Sequence, residues 1–260
     1  MTPAFPDLLL EASTRPVVGW DFGWLGNRLT TRPLDWNFPS IVADRSRHVA
    51  NLLDMSTGGG EWLAALEHRP AQTVATEGWK PNVSVAAARL RPLGIAVVWS
   101  EDAPDNVEQS PGEMRGRLPF RAESFALVTN RHASFLATEV ARVLCAGGMF
   151  LTQQVGADYR DAHHALGLKR PEAARAWNAA VATQQIGDAG LHIVAAREGT
   201  LITEFADVGA FAWYLRAVPW AVPNFTIDAF RPALERLDSQ LRHIGSIVLR
   251  PPAFFLEATK

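Results

Sequence analysis

Cysteine is almost missing from this chain of 260 residues: Cys145 is the only one. That excludes an internal disulfide and a cysteine-built zinc cluster. Its place in the apolar run "VARVLCAGG" reads as a small buried hydrophobe rather than a reactive thiol. Lysine is scarce, so arginines placed one at a time carry most of the positive charge. A formal net charge of −2 leaves no basic excess to attract a polyanion. No apolar run approaches the ~20 residues of a membrane span. The start, "MTPAFPDLLLEASTRP", lacks the basic region and long apolar core of a signal peptide. The expectation is a cytoplasmic protein, monomer or homodimer, with no nucleic-acid or membrane partner.

What is present is an apolar fraction of 48%, enough for a substantial core in one large domain or one domain with an elaborated cap. From about Ala50, apolar runs of strand length recur: "VANLLDM", "TVATE", "IAVVWSED", "FALVTN" and "MFLTQQV". Helical stretches separate most of them: "EWLAALEHR", "VSVAAARLRPLG" and "SFLATEVARVLC". Continuous apolar runs suit strands covered on both faces, and alternation with helices implies right-handed crossovers in a parallel sheet. Gly147-Gly148 read as the turn into the fifth strand. Residues 1–48 are expected to form an N-terminal helical cap, with helices near Phe5–Ala12 and Pro39–Arg47. Residues 49–260 form the main domain, with a substrate-cap segment at about 205–226. A helix is expected over Pro171–Ala189, another over "DAFRPALERLDSQLRHI", and strands in "HIVAAREGTLITEF" and "SIVLRPPAFFLEATK". Pro251-Pro252 is awkward inside a strand, because proline donates no ladder bond, unless a bulge intervenes or the strand starts after it.

The stretch "LLDMSTGGGEWLAAL" joins a strand ending in Asp54 to a glycine turn and a helix. This is a nucleotide-type site at the carboxyl edge of an open sheet. A phosphate-binding loop needs Gly-Lys-Ser/Thr, absent here, and the dinucleotide pattern G-x-G-x-x-G fails because Leu63 stands at its third glycine. A ligand without phosphate remains. Asp54 faces a cation or amine, and the glycines let backbone approach closely. Glu77, 19 positions after Gly58, ends the second strand where a carboxylate can accept both ribose hydroxyls. The third strand ends in "WSEDA", offering Asp102 to an adenine amino group, and the fourth in Asn130-Arg131-His132.

This order resembles the class I S-adenosylmethionine-dependent methyltransferases. It looks closest to a bacterial small-molecule, type 11-like branch whose loop reads D-x-G-T-G-G-G-E. The resemblance covers roughly Ala50 to Gly156 and extends into "FADVGAFAWYLRAVPWAVPNF". It implies an α/β fold: a seven-stranded, mostly parallel Rossmann-like sheet flanked by helices, with an antiparallel C-terminal strand. It also implies S-adenosyl-L-methionine as cofactor, S-adenosyl-L-homocysteine as product and a small-molecule acceptor. The loop Ser56, Thr57, Gly58, Gly59 and Gly60 would wrap the methionine part, with Asp54 ordering the loop or its ammonium. Glu77 would hold the ribose, beside Gly78. Trp79 would cover the adenine, and Asp102 and Ala103 would meet its edge. Asn130 would close the sulfonium side, with Arg131 next to it. Two departures stand out. Ser56 replaces the first glycine of the pattern, which a negative φ accommodates. Thr129-Asn130 stand where catechol-type enzymes of this class place metal-binding acids, so no catalytic metal is expected.

The acceptor side is read from the parts that break the α/β rhythm: Trp20, Trp24, Gln153, His163, Trp213, Tyr214, Arg216 and Trp220. An aromatic wall with one cation suits a flat organic acceptor, one that could carry an acid group. The same aromatics would equally serve as a hydrophobic lid over the sheet. His132 is the best-placed base, or else a pocket-shaping histidine. His163 and His164 could be a base, a substrate contact or neither, and the pair lacks a third metal ligand. Two other readings share the cofactor half: a tRNA or rRNA base methyltransferase, and a non-catalytic S-adenosylmethionine-binding protein.

Overall fold

The computed structural model describes residues 3–18, 20–107, 114–169 and 177–260. In chain order it contains α1 (Phe5–Thr14), β1 (Leu29–Thr31), α2 (Phe38–Ser46), β2 (Asn51–Met55), α3 (Glu61–Ala64), β3 (Gln72–Glu77) and α4 (Lys80–Leu90). Then follow β4 (Ala96–Trp99), β5 (Phe125–Arg131), α5 (Ala137–Val143), β6 (Leu144–Val155), α6 (Arg160–Ala165) and α7 (Ala179–Asp188). The last are β7 (His192–Thr200), β8 (Thr203–Phe205), α8 (Val208–Ala217), α9 (Ile227–Ile244), β9 (Ile247–Leu249) and β10 (Pro252–Thr259). The first part of the helix expected from Pro171 lies outside the described residues.

Seven strands form the main sheet in the order β4-β3-β2-β5-β6-β10-β7. β2 pairs in parallel with β3 and β5, β3 with β4, and β5 with β6, while β10 is antiparallel to both β6 and β7. The C-terminal strand is therefore antiparallel, but it lies inside the sheet and β7 forms the edge. The apolar runs behave as continuous runs should: Leu52 and Leu53 of β2 and Leu127 and Val128 of β5 are fully buried, because helices cover both faces. One face packs on α2, α3 and α4 through Phe38, Val42, Leu63 and Leu90; the other packs on α5 and α7 through Val140, Ala182 and Ile186.

Local chemistry sets the element ends. Helix α3 stops after one turn, well short of the expected Arg69, because the Arg69 guanidinium donates to the carbonyls of Leu63, Ala64 and Leu66. Helix α4 starts earlier than expected, at Lys80, with Pro81 in its first turn where a missing N–H costs nothing. At the start of β6 the pairing with β5 jumps from Phe125–Leu144 to Leu127–Met149. The intervening residues, with Gly147 at φ +73°, loop out of the ladder.

A second sheet, β1-β8-β9, is antiparallel throughout. Sequence reading placed no strand at β1 and no separate sheet here. Pro251 and Pro252 lie where β9 of this small sheet hands over to β10 of the large one, so neither proline is asked for a donor in mid-strand. Helices α1, α8 and α9 cover the small sheet around a third core that includes Leu9, Phe205, Phe211 and Leu234. Residues 1–48 thus divide: α1 and β1 join this cap, whereas α2 packs into the main core.

Candidate functional site

A cleft of about 2030 Å³ opens between the carboxyl ends of the parallel strands and the cap. β2 has β3 on one side and β5 on the other, so the chain leaves it in opposite directions at the point where open α/β sheets bind ligands.

The floor is built from three strand ends. Asp54, ending β2, is fully buried; its Oδ1 accepts from the Thr129 hydroxyl at 2.8 Å, and its Oδ2 has no hydrogen-bond partner. Burial pushes this carboxyl up to about 7, opposed by the Thr57 and Thr129 hydroxyls and by the Arg131 charge, with Glu77 adding to the rise. Glu77, ending β3, accepts from the Gly58 amide at 2.7 Å and from the Trp79 amide at 2.9 Å. It therefore ties the glycine loop to the next turn. Burial raises it as well, to about 7, against those two amides and with the Asp102 charge adding to the rise. Asp102 takes the Ser56 hydroxyl on one oxygen and lies against Gly78, where a side chain would displace it. Its carboxyl is raised by burial, which the Ser56 hydroxyl partly offsets. Ala103 is buried beside it and lines a small separate void instead of the main cleft.

The loop corrects one expectation. Ser56 has φ +55°, in the left-handed region, not the negative φ foreseen. Two contacts hold it there: its amide donates to the Thr76 hydroxyl at 3.2 Å, and its own hydroxyl donates to Asp102. The Thr57 amide donates to the Thr76 carbonyl at 2.8 Å, and its hydroxyl is buried without a partner. Gly58 and Gly60 have φ +66° and +78°, the conformations that favour glycine. The Trp20 indole lies 2.6 Å from where a Gly58 Cβ would stand. The Gly59 carbonyl accepts from Arg89.

At the end of β5 the expected triplet splits. Asn130 is fully buried, with Oδ1 accepting from Gln154 at 2.6 Å and from Thr152 at 3.3 Å. It lies beneath the cleft and does not line it, because that hydrogen-bond cluster holds its side chain inside. Arg131 and His132 do line the cleft. The Arg131 Nε is buried without a partner, and burial lowers its pKa. His132 has φ +65°, and its Nε2 lies 3.1 Å from the Gln153 amide nitrogen. The Gln153 oxygen accepts from the Trp36 indole at 2.9 Å, so its NH₂ faces His132 and must donate. His132 is therefore the Nδ1–H tautomer with its Nε2 lone pair occupied. Desolvation and the adjacent Arg131 charge lower its pKa, tempered by the exposure of the residue on the cleft.

The expected acceptor-side residues divide too. Trp20, Gln153, His163, Tyr214, Arg216 and Trp220 line the cleft. Trp213 does not: it is 2% exposed and donates its indole N–H to the Arg15 carbonyl at 3.2 Å. Trp24 is likewise withdrawn, edge-on to Trp213 at 5.1 Å and flanked by the guanidinium groups of Arg15 and Arg28. Both belong to the cap core, because α8 turns that face onto α1. Arg216 reaches the cleft wall, but its guanidinium donates to the carbonyls of Ala12 and Arg15 at the end of α1. His163 is nearly buried, its Nδ1 3.0 Å from the Tyr159 carbonyl, which only accepts, so Nδ1 donates. Trp220, 52% exposed, donates to the Tyr159 hydroxyl at 2.8 Å and lies 5.7 Å from Trp20.

Sequence reading missed Trp36 and Tyr159 as site residues. Tyr159 carried a usable signal: the chain has only two tyrosines, and both, Tyr159 and Tyr214, line this cleft.

No family model and no curated protein sequence matches the chain. Solved structures do. A candidate methyltransferase from Bacillus halodurans C-125 superposes with a TM-score of 0.57 at 18% identity, over 85% of this chain and 98% of the other. The YcgJ protein of Bacillus subtilis gives 0.56 at 18% identity, over 85% and 97%. A functionally unknown protein from Deinococcus radiodurans R1 gives 0.50 at 14% identity, over 91% and 93%. With the strand order described above, the chain has the seven-stranded fold of the class I methyltransferases.

Proposed function

We propose that this protein is an S-adenosylmethionine-dependent methyltransferase acting on a small organic molecule. The observation that carries the reading is Glu77: a buried strand-end carboxylate that holds Gly58 of a phosphate-free glycine loop, beside the switch point of the sheet. The residues fit the cofactor. The Thr57 hydroxyl on the cleft floor makes no hydrogen bond of its own, with Asp54 buried next to it, and Trp20, Glu61, Leu90 and Asp102 close on Gly58, Gly59, Gly60 and Gly78 so tightly that no side chain fits there. Glu77 accepts the Gly58 and Trp79 amides and the Asn82 side chain, and its two oxygens retain capacity for a further donor such as a ribose hydroxyl. Trp79, 48% exposed next to Glu77, offers an adenine-covering face, and Asp102 an acceptor for the adenine amino group.

When bound, S-adenosylmethionine supplies a methyl group on a sulfonium sulfur. The chain's contribution is then position, since aligning a lone pair behind that methyl supplies most of the acceleration. His132, with its Nε2 lone pair occupied by the Gln153 amide, is held in a chain with Gln153 and Trp36 rather than free to collect a proton. In the acceptor half, His163 lines the cleft with its ring fixed by the Nδ1 bond to the Tyr159 carbonyl. Trp20, Trp220 and the two tyrosines give that half an aromatic wall suited to a flat acceptor.

Isothermal calorimetry tests the cofactor assignment. Glu77→Ala weakens S-adenosylhomocysteine binding by about 1–3 kcal/mol, the loss of charge-assisted bonds to two hydroxyls; an unchanged dissociation constant removes Glu77 from the site. Transfer of labelled methyl from S-adenosylmethionine into a metabolite pool tests turnover. Tight binding with no transfer to any acceptor reassigns the chain as a non-catalytic binding protein.

A further inference from the structure

The cleft is larger than a cofactor and a small flat acceptor need: its volume of about 2030 Å³ is twice the ~1,000 Å³ at the upper end of ordinary small-molecule sites. The cap supplies one aromatic wall. The main domain supplies a second, apolar wall, which the reading above leaves without a ligand. It consists of Leu34 and Trp36 from the loop between β1 and α2, Phe38 at the start of α2, Trp62 of α3 and Leu201 between β7 and β8. These five are contiguous. The Phe38 and Trp62 rings lie 5.6 Å apart. A Cβ on Gly199, two residues before Leu201, would stand 3.1 Å from the Trp36 ring and 3.5 Å from Leu34. Trp36 and Phe38 belong to the main core, and Leu34, Trp62 and Leu201 pack against it while remaining only partly buried.

The polar side chains around this wall are already engaged. Trp36 donates its indole N–H to Gln153 at 2.9 Å, Arg32 pairs with Glu204 at 2.6 Å, Glu61 pairs with Arg89, and the Asn37 side chain accepts the Ser40 amide at 3.0 Å. Asp35 is exposed. None of the buried side-chain atoms left without a partner among the described residues belongs to the wall. An apolar surface kept open inside a cleft, with no polar atom asking for a partner, is matched by hydrocarbon. Through Trp36 the wall meets the floor, because the Trp36–Gln153 bond continues to His132 at the end of β5. Resting on the reading above, we propose that the acceptor carries a hydrocarbon tail: its flat part lies on the cap wall, and its tail runs along Leu34, Phe38, Trp62 and Leu201.

Calorimetry with para-alkylphenols bearing straight tails from ethyl to heptyl tests the tail, on the full chain with and without saturating S-adenosylhomocysteine. The ring is constant and only the tail grows. The dissociation constant is expected to fall about fourfold for each added methylene, the value of one buried CH₂. A constant that does not change with tail length overturns the proposal. Leu34→Asp and Leu201→Asp put a charge into the wall and flatten the series. Trp220→Ala, on the cap wall, weakens every member by a common factor and keeps the slope. A slope lost in Trp220→Ala and kept in both Asp variants places the tail on the cap and overturns the proposal. So does a loss of more than about twofold in S-adenosylhomocysteine affinity in the folded Asp variants, because the wall then belongs to the cofactor. Where an Asp variant fails to fold, Leu34→Phe shortens the space without adding charge; it ends the gain at a shorter tail, and an unaltered series in that variant overturns the proposal. Failure of the unaltered protein to bind S-adenosylhomocysteine overturns the cofactor reading alone. A length-dependent series flattened by Leu34→Asp then still supports the hydrocarbon site.

Discussion

The floor of the cleft and the cap above it are built on opposite principles. In the cap, polar groups are largely satisfied from within: Arg28 bridges Asp207 and Glu11 at 2.7 Å each, and Arg216 caps α1. On the floor, Asp54, Thr57 and Arg131 each keep a buried polar atom without a partner. Trp213 and Trp220 make the same contrast within one segment. The first is sealed between α8 and α1, the second half-exposed on the cleft. Single buried atoms without a partner occur in the scaffold too, at Trp24, Ser46, Trp177 and Gln185, but on the floor they gather at the ends of two adjacent strands.

The contrast is open to breakage, most severely in the cap. Trp213→Ala should cost about 3–5 kcal/mol in denaturant unfolding, the range for a fully buried tryptophan, with S-adenosylhomocysteine affinity of the folded variant unaltered. A loss under ~1 kcal/mol would mean that the cap has no true core.

Protonation tests the floor next. The folded pKa values of Asp54 and Glu77 are raised from ordinary carboxylate values to about 7. Their contribution to stability is therefore fully present below the unfolded values and is lost as pH rises through about 7. Between their ordinary carboxylate values, 3.8 and 4.5, and about pH 7, each can remove up to ~1.4 kcal/mol per pH unit, and the decline levels off above that. Glu77→Gln should flatten that decline, measured as the difference in unfolding free energy from the unaltered chain. A steeper decline in the variant would contradict the burial argument.

Smaller effects refine the boundary. Arg216→Ala should cost about 1–2 kcal/mol by leaving the last carbonyls of α1 unpartnered, without altering S-adenosylhomocysteine binding. Trp220→Ala should cost less than ~1 kcal/mol, because half its surface is already in water. It should instead reduce the turnover of any acceptor found in the methylation screen; a large stability loss would move Trp220 from the wall into the core.

These two regions also differ in how far sequence revealed them. The floor was legible because its chemistry is local. A strand, a run of glycines and an acid ending the next strand lie within a few dozen residues, and each residue type has a direct physical reason. The cap was not. β1 exists only through its pairing with β8, Leu29 opposite Phe205, and no local pattern signals a partner that distant. Arg216 read as a substrate handle because its role depends on where α1 ends, and Trp213 read as pocket because helical periodicity alone does not say which face meets α1. Ser56 failed differently. Its left-handed φ is imposed by Thr76 and Asp102, both remote in sequence from the loop. The Trp36–Gln153–His132 relay was invisible for the same reason.

The placement of β10 between β6 and β7 has a consequence for biosynthesis. As the chain is made, β6 and β7 emerge well before the strand that joins them, and each presents an open edge able to pair with another nascent chain. β1 likewise waits for β8, most of the chain later. At about 5–20 residues per second the interval lasts seconds, within reach of collision and of chaperone capture. The seam closes only when residues 252–259 arrive, so β6 and β7 become one sheet through a strand made well after both of them.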